Sequence, residues 1–189
     1  MQKLIVFNHM TIDGFFVDSN GSMEWARPGR DDKEWNEFVA ENASRGEGTL
    51  LFGRVTYELM TRYWPTPMAM NHDRAVAERM NSLRKVVFST TLNEATWNNT
   101  RLVKDDMLAA VRKMKSESGD GLTIMGSGKI ISQLAQEGLI DEYQIIVNPV
   151  VLGKGRSMFE GITEKLPLKL TKSRTFGNGC VYLSYQPAA

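Results

Sequence analysis

Gly126-Ser-Gly-Lys129 breaks an apolar run in the stretch GLTIMGSGKII, residues 121–131, after which apolar residues resume at helical spacing. Glycines let backbone approach a ligand closely, and the unpaired amides of a first helical turn point at an anion. A hydroxyl and an ammonium complete a set that suits a diphosphate. Neither familiar phosphate fingerprint is met. Ile131 stands where the dinucleotide motif has its third glycine, and Thr123 and Ile130 replace the first glycine and the Ser/Thr of a P-loop. Taken alone, the segment serves equally as a glycine-rich turn with no ligand. Two further segments repeat the chemistry. Gly53-Arg54-Val55-Thr56 follows Leu50-Leu-Phe and offers a glycine, a cation and a hydroxyl, while Ser89-Thr90-Thr91 follows Val86-Val-Phe with three hydroxyls. Arginine holds phosphate bidentately, although Arg54 also reads as a solvated charge and Ser89 as a turn cap. A ligand with two separate phosphate groups would suit all three.

Such groups converge only if the chain builds the right scaffold. Apolar runs predict strands at 3–10, 49–53, 85–89 and 122–125, with a shorter one at 100–104. Helical spacing or capping predicts helices at 31–43, 54–64, 70–82, 105–117 and 128–137, the second stopped by Pro65 and Pro67. Asp105 or Asp106 suits the start of the fourth, and Gly138 the end of the last. The segment 11–30 carries the turn dipeptides Asp13-Gly14, Asn20-Gly21 and Pro28-Gly29 and reads as a lid or a plain surface connection. Strand-like segments at 143–152, 166–176 and 181–185 close the chain. Strands alternating with helices predict a three-layer α/β/α fold, mostly parallel at its centre, with antiparallel strands from the C-terminal third. Nothing in residues 1–189 reads as a linker or repeat, so a single domain is expected. In such sheets ligands gather where strand C-termini hand over to helix N-termini, where all three segments fall.

In this order, these junctions resemble the dihydrofolate-reductase-like superfamily, specifically its RibD C-terminal branch, the reductase domain of riboflavin biosynthesis. The resemblance rests on Ile12-Asp-Gly-Phe-Phe-Val17, Leu51-Phe-Gly-Arg-Val-Thr-Tyr-Glu58, Val87-Phe-Ser89, Ile124-Met-Gly-Ser-Gly-Lys129 and Asn148-Pro-Val-Val-Leu-Gly153, and spans residues 3–185. It implies an NADPH-dependent reductase. Gly53, Arg54, Val55 and Thr56 would hold the adenosine side and phosphates, and Ser89 and Thr90 would lie near the adenosine ribose and its 2′-phosphate. Gly126, Ser127, Gly128, Lys129 and Ile130 would cradle the diphosphate, while Asn8, Met10, Ile12 and Phe16 would face the nicotinamide. The substrate implied is a small heteroaromatic, pyrimidine- or pterin-like. The deaminase segment of the family's bifunctional members is missing here, which weakens a riboflavin role. A homodimer is plausible on the same resemblance.

Hydride transfer needs orientation, exclusion of water and sometimes a proton donor. Asp32-Lys-Glu-Trp35 resembles the Asp-x-x-Trp spacing of the catalytic helix in dihydrofolate reductases, where burial favours a protonated carboxyl. Asp31, Asp32 and Glu34 serve as well as simple charges at a helix N-terminus. His9 lies at a strand end near the expected nicotinamide, and His72 has no evident partner. Asp18-x-Asn20-x-Ser22-x-Glu24 fails as a calcium loop, since Met23 and Gly29 occupy the required glycine and glutamate positions. No metal site is expected. Cys180, the one cysteine, sits in an apolar strand and reads as inert, while Trp25 and Trp64 read as packing or as cleft walls.

A formal charge of +1 argues against a nucleic-acid or membrane-surface binder, which needs a dense basic field. No apolar stretch approaches the roughly 20 residues of a membrane span, and the N-terminus reads as a first strand, so a cytoplasmic enzyme is expected. A non-catalytic NADP(H)-binding module or sensor satisfies the same residues.

Overall fold

A computed structural model describes residues 1–26, 32–43 and 48–188. The Pro28-Gly29 turn, the end of the 11–30 segment and the expected helix start at Asp31 lie outside the described residues. In chain order the strands are β1 (Leu4–Thr11), β2 (Phe15–Asp18), β3 (Thr49–Gly53), β4 (Arg84–Phe88) and β5 (Thr100–Val103). They continue as β6 (Leu122–Met125), β7 (Glu142–Asn148), β8 (Gly155–Ser157), β9 (Leu168–Thr175) and β10 (Val181–Pro187). The helices are α1 (Lys33–Ala43), α2 (Arg54–Tyr63), α3 (Pro67–His72), α4 (Arg74–Ser82), α5 (Met107–Ser116) and α6 (Gly128–Gln136).

The main sheet has the order β5-β4-β3-β6-β1-β7-β10-β9. The first six of these strands run parallel, and β10 pairs antiparallel with both β7 and β9. Because β3 and β4 are covered on both faces, their buried residues run on without alternation. One face sets Leu51, Val86 and Ile124 against Val111 and Met114 of α5 and Ile131 and Leu134 of α6. The opposite face sets Leu50, Phe52 and Val87 against Tyr57 of α2 and Met80 of α4. Farther along it, Trp35 and Phe38 of α1 pack on Ile146, Phe176 and Tyr182. The three-layer α/β/α architecture and its antiparallel C-terminal strands are as the sequence predicts.

Several boundaries differ. The single helix expected at 70–82 is two, because the Asp73 carboxylate accepts from the Val76 amide at 3.2 Å and caps α4 while its own amide closes α3. Pro67, read as a stop, opens α3 at a position where its missing N–H costs nothing. The β7 strand ends at Asn148, ahead of Pro149, which has no amide to extend the ladder. The 11–30 segment contains β2, which pairs antiparallel with β8.

At the N-terminal end of β4 the buried Lys85 ammonium donates to Asn81 O, Leu83 O and Asn98 O at 3.2, 2.6 and 3.1 Å and lies 4.5 Å from the Trp97 ring centroid. Burial pushes its pKa down to about 8, and two of its acceptors lie at the carbonyl end of α4, where a cation is favoured. Lys85→Met preserves the bulk and removes the donors from three carbonyls. It is expected to lower unfolding free energy by about 3 kcal/mol with the urea m-value unchanged. A loss below about 1 kcal/mol would show that the ammonium is dispensable.

Candidate functional site

The strand order sets the C-terminal ends of β4, β3, β6 and β1 side by side. Phe88 pairs with Gly53, so Ser89 and Arg54 leave neighbouring strands at the same level. The turn after β6 comes down on the end of β3. A Cβ on Gly53 would overlap the Ser127 hydroxyl, so any other residue there requires that hydroxyl to move. Gly126 has a left-handed φ of 69°, and a Cβ on it would stand 2.6 Å from Thr56 Cγ2 and 2.8 Å from Thr56 Oγ1. The β3–α2 and β6–α6 junctions are thus locked against each other.

The buried side chain of Asn8 on β1 holds this turn in place. Its Oδ1 accepts from the Gly126 amide at 2.6 Å, and its Nδ2 donates to Met158 Sδ at 3.1 Å. Ser127, φ 64°, is the N-cap of α6, and its carbonyl accepts from the Ile130 and Ile131 amides. The amides of Ser127, Gly128 and Lys129 find no protein acceptor among the described residues. A nine-residue helix therefore presents three free donors and its positive dipole end beside the Ser127 hydroxyl. Three unsatisfied amides in a glycine-narrowed turn fit the diphosphate of a dinucleotide.

The other expected contacts fall as follows. Arg54 is exposed, and its Nη1 lies 3.1 and 3.3 Å from the two Glu58 carboxylate oxygens. Such a surface pair one helical turn apart is worth only about 0.5 kcal/mol, little against a phosphate. Ser89 Oγ accepts from the Leu92 and Thr91 amides at 2.9 and 3.2 Å and lies 3.4 Å from Thr91 Oγ1, a turn role. Thr90 and Lys129 are exposed, as are Ile12 and Val55. Met10 is half-buried, whereas Asn8, Phe16, Thr56 and Ile130 are buried and act as walls and struts of the rim. Two open hollows of about 340 Å³ lie between α5 and its neighbours and touch none of these residues.

Asp32 does not meet the expectation of a buried, protonated acid. Its Oδ1 accepts from the Trp35 amide at 3.0 Å, capping α1, and its Oδ2 accepts from the Asn178 amide at 2.7 Å. The Trp35 amide first, and Asn178 with it, outweighs partial burial and holds the carboxyl below the usual carboxylate range. Asp32 is ionised and ties α1 to the β9–β10 turn. The Asp18 carboxylate accepts from the Asn20 and Ser22 amides, making a turn. Trp64 is a packing residue, its indole donating to Met60 Sδ at 3.1 Å, whereas the enclosed Trp25 Nε1 has no acceptor among the described residues. Burial pushes the Cys180 thiol up, and the Asp32 charge adds to that, which keeps it un-ionised.

For two residues the sequence showed the place and not the partners, Asp13 as part of a turn and His9 at a strand end near the expected nicotinamide. Asp13 accepts from the Thr11 hydroxyl at 2.6 Å and the Gly153 amide at 2.7 Å, tying the end of β1 to the turn after β7. Asp-Gly after a strand reads only as a turn, so the tie had no signal. His9, beside Asn8 on β1, faces the α1 layer with ring centroids 6.2 Å from Phe7 and 6.1 Å from Trp35. Its Nδ1 lies 3.3 Å from Asn148 Nδ2, and burial pushes its pKa down to about 4.

The His9 shift fixes a pH dependence. Between the ordinary pKa of 6.5 and about 4, the unfolded chain takes up a proton that the native ring declines. Stability is therefore complete above that window and falls as pH drops through it, by up to about 3 kcal/mol. The fall should be shallower in His9→Gln, measured by urea unfolding between pH 4.5 and 7; parallel pH profiles would reject the assignment. Gly126→Ala combines a left-handed strain of about 1–2 kcal/mol with displacement of Thr56. It should lower the thermal midpoint by several degrees, and an unchanged midpoint would mean that the turn relaxes freely.

Comparison with known proteins agrees with this geometry. The RibD C-terminal domain family matches residues 2–182. The uncharacterised protein YyaP of Bacillus subtilis is 29% identical over 184 residues, covering 97% of this chain and 94% of its own. Among solved structures, a diaminohydroxyphosphoribosylaminopyrimidine deaminase/5-amino-6-(5-phosphoribosylamino)uracil reductase of Thermotoga maritima superposes with a TM-score of 0.68 at 14% identity, over 99% of this chain and 57% of that one. Dihydrofolate reductase of Enterococcus faecalis, complexed with NADP(H), superposes with a TM-score of 0.63 at 14% identity, over 99% and 97% of the two chains. At such identities the structures speak for the fold alone. The family match spans nearly the whole chain and agrees with the three-layer sheet: this protein belongs to the RibD C-terminal domain family, with a fold like that of dihydrofolate reductase.

Proposed function

We propose that this protein is an NADPH-dependent reductase that delivers a hydride to a small heteroaromatic substrate, pyrimidine- or pterin-like. The observation that carries this reading is the set of three acceptor-free amides, at Ser127, Gly128 and Lys129, locked beside Arg54 on the C-terminal rim of four parallel strands. The amides and the Ser127 hydroxyl bind the diphosphate. Arg54, released from Glu58, and the hydroxyls of Ser89 and Thr90 take the 2′-phosphate, which selects NADPH over NADH. Met10 and Ile12 flank the nicotinamide, which when reduced and bound supplies the hydride. The names of the superposable proteins, a uracil reductase and a dihydrofolate reductase, lend support to the substrate class. The chain spans 57% of the bifunctional protein, so the proposal concerns a reductase step alone.

Asp32 is left out as proton donor because its carboxyl is engaged and ionised. That same ionised carboxyl favours a second reading, in which the protein binds NADP(H) without turnover. A single unit acting in the cytoplasm completes the proposal; among the described residues, no helix is long and apolar enough to cross a membrane. A homodimer is proposed on family kinship and is open to sedimentation analysis.

Fluorescence titration should give at least tenfold tighter binding of NADPH than of NADH. Arg54→Ala should weaken NADPH about tenfold, roughly 1.4 kcal/mol, and alter NADH less than twofold. Equal affinities in the wild type, or an unchanged preference in the variant, would refute the 2′-phosphate assignment. Steady NADPH oxidation with a dihydropterin or aminouracil then separates the reductase from the module, which binds but never turns over.

A further inference from the structure

We propose that His9 is the hydrogen-bond donor that recognises the substrate: its Nε2–H, oriented by Asn148, meets a carbonyl oxygen or ring nitrogen of a planar heterocycle lying between β1 and α1. This deepens the reductase reading and rests on it. Asn148 Nδ2 lies 3.1 Å from Ile146 O and 3.3 Å from Met10 O, while its Oδ1 lies 3.6 Å from Cys180 Sγ. Two carbonyl oxygens around one end of the amide identify that end as the NH₂. An NH₂ facing His9 Nδ1 at 3.3 Å requires Nδ1 to be the unprotonated nitrogen, which leaves the ring proton on Nε2. Among the described residues Nε2–H has no acceptor, yet the fully enclosed, unpartnered side-chain nitrogens there are Trp25 Nε1 and Asn178 Nδ2 only. His9 Nε2 is not among them and the residue is half-buried, so this donor is unpaired and not fully enclosed.

Its position suits that task. The β1–β6 ladder ends at the pair Phe7–Met125, so Asn8 to Thr11 project beyond β6 along the rim. Successive side chains of a strand point to opposite faces. Asn8 is turned to the Gly126 side, where the cofactor is placed, and His9 to the α1 side, where Trp35 supplies an aromatic wall. When a conjugated bond is reduced at carbon, negative charge develops on its heteroatom, and a fixed donor aimed there favours the change. Burial, which keeps the ring neutral at physiological pH, makes this donor an uncharged N–H. Such a donor suits a neutral lactam or ring nitrogen better than a carboxylate.

The test uses lumazine, a pteridine dione, as probe on the protein saturated with NADP⁺, and long-range ¹H–¹⁵N NMR of the two histidines, assigned with His72→Gln. The free protein should show His9 protonated at Nε2, and lumazine should shift that resonance. His9→Phe should weaken lumazine at least tenfold while NADP⁺ affinity stays within twofold, and His9→Gln, which keeps an N–H, should lose less than threefold. Should His9→Phe fail to fold, the wild-type resonance and His9→Gln still decide. A ring protonated at Nδ1, lumazine bound equally by wild type and His9→Phe, or no lumazine binding to the NADP⁺ complex would each overturn the proposal. Failure of the wild type to bind NADP⁺ at all is a separate result: it removes the reductase reading, and this inference with it.

Discussion

One buried hydrogen bond organises the rim of the sheet. β1 is longer than β6, and at the residue after their last pair the ladder has no further strand to offer. Asn8 fills the vacancy with its side chain, whose oxygen takes the Gly126 amide that β6 can no longer place. An amide buried there without an acceptor would cost about 1–3 kcal/mol, so the pairing also fixes where β6 must turn. From that point Ser127 is set against Gly53, Gly126 against Thr56, and α6 begins with three donors facing outward. Met158, bonded to the other end of the Asn8 amide, brings the chain after β8 into the same knot.

A second consequence concerns β1 as a divider. Asn8 and His9 are consecutive, so one strand presents a structural amide to one layer and an imidazole to the other. Their surroundings differ in chemistry. The Asn8 side is built from glycines and amides of helix and turn; the His9 side is built from Phe7, Trp35 and the Asn148 amide. Asp32 and Asp13 brace the two ends of the α1 side, one joining α1 to the turn after Phe176 and the other joining β1 to the turn after β7. Both carboxylates are held ionised chiefly by neighbouring amides or a hydroxyl, and both serve as fasteners.

Much of this was readable in the residues. Leu122–Met125 and Thr49–Gly53 were placed to the residue because short apolar runs ending in glycine admit few other readings. The order of strands and helices was enough for the layers. What failed to show depends on contacts distant in the chain. Phe15–Asp18 makes a strand only because Gly155–Ser157, some 140 residues on, comes alongside. Asp73 splits a helix whose apolar spacing runs on through the break, since a cap competes locally with a periodicity that averages over a longer window. Asp32 carries the spacing of an acid and the job of a cap, a distinction made by the Asn178 amide, 146 residues away. His9 was legible only as a histidine at a strand end near the expected nicotinamide; its tautomer and the residue opposite are set by Asn148, far along the chain.

The near-overlap of Gly53 with the Ser127 hydroxyl has an evolutionary corollary. Two sites 74 positions apart in the chain share one small volume, so drift at either is conditional on the other. A side chain acquired at 53 is tolerable only once the Ser127 hydroxyl has turned away or been lost, as an alanine at 127 would allow. Libraries that randomise position 53 while leaving Ser127 fixed therefore test every new side chain against a hydroxyl already in its space.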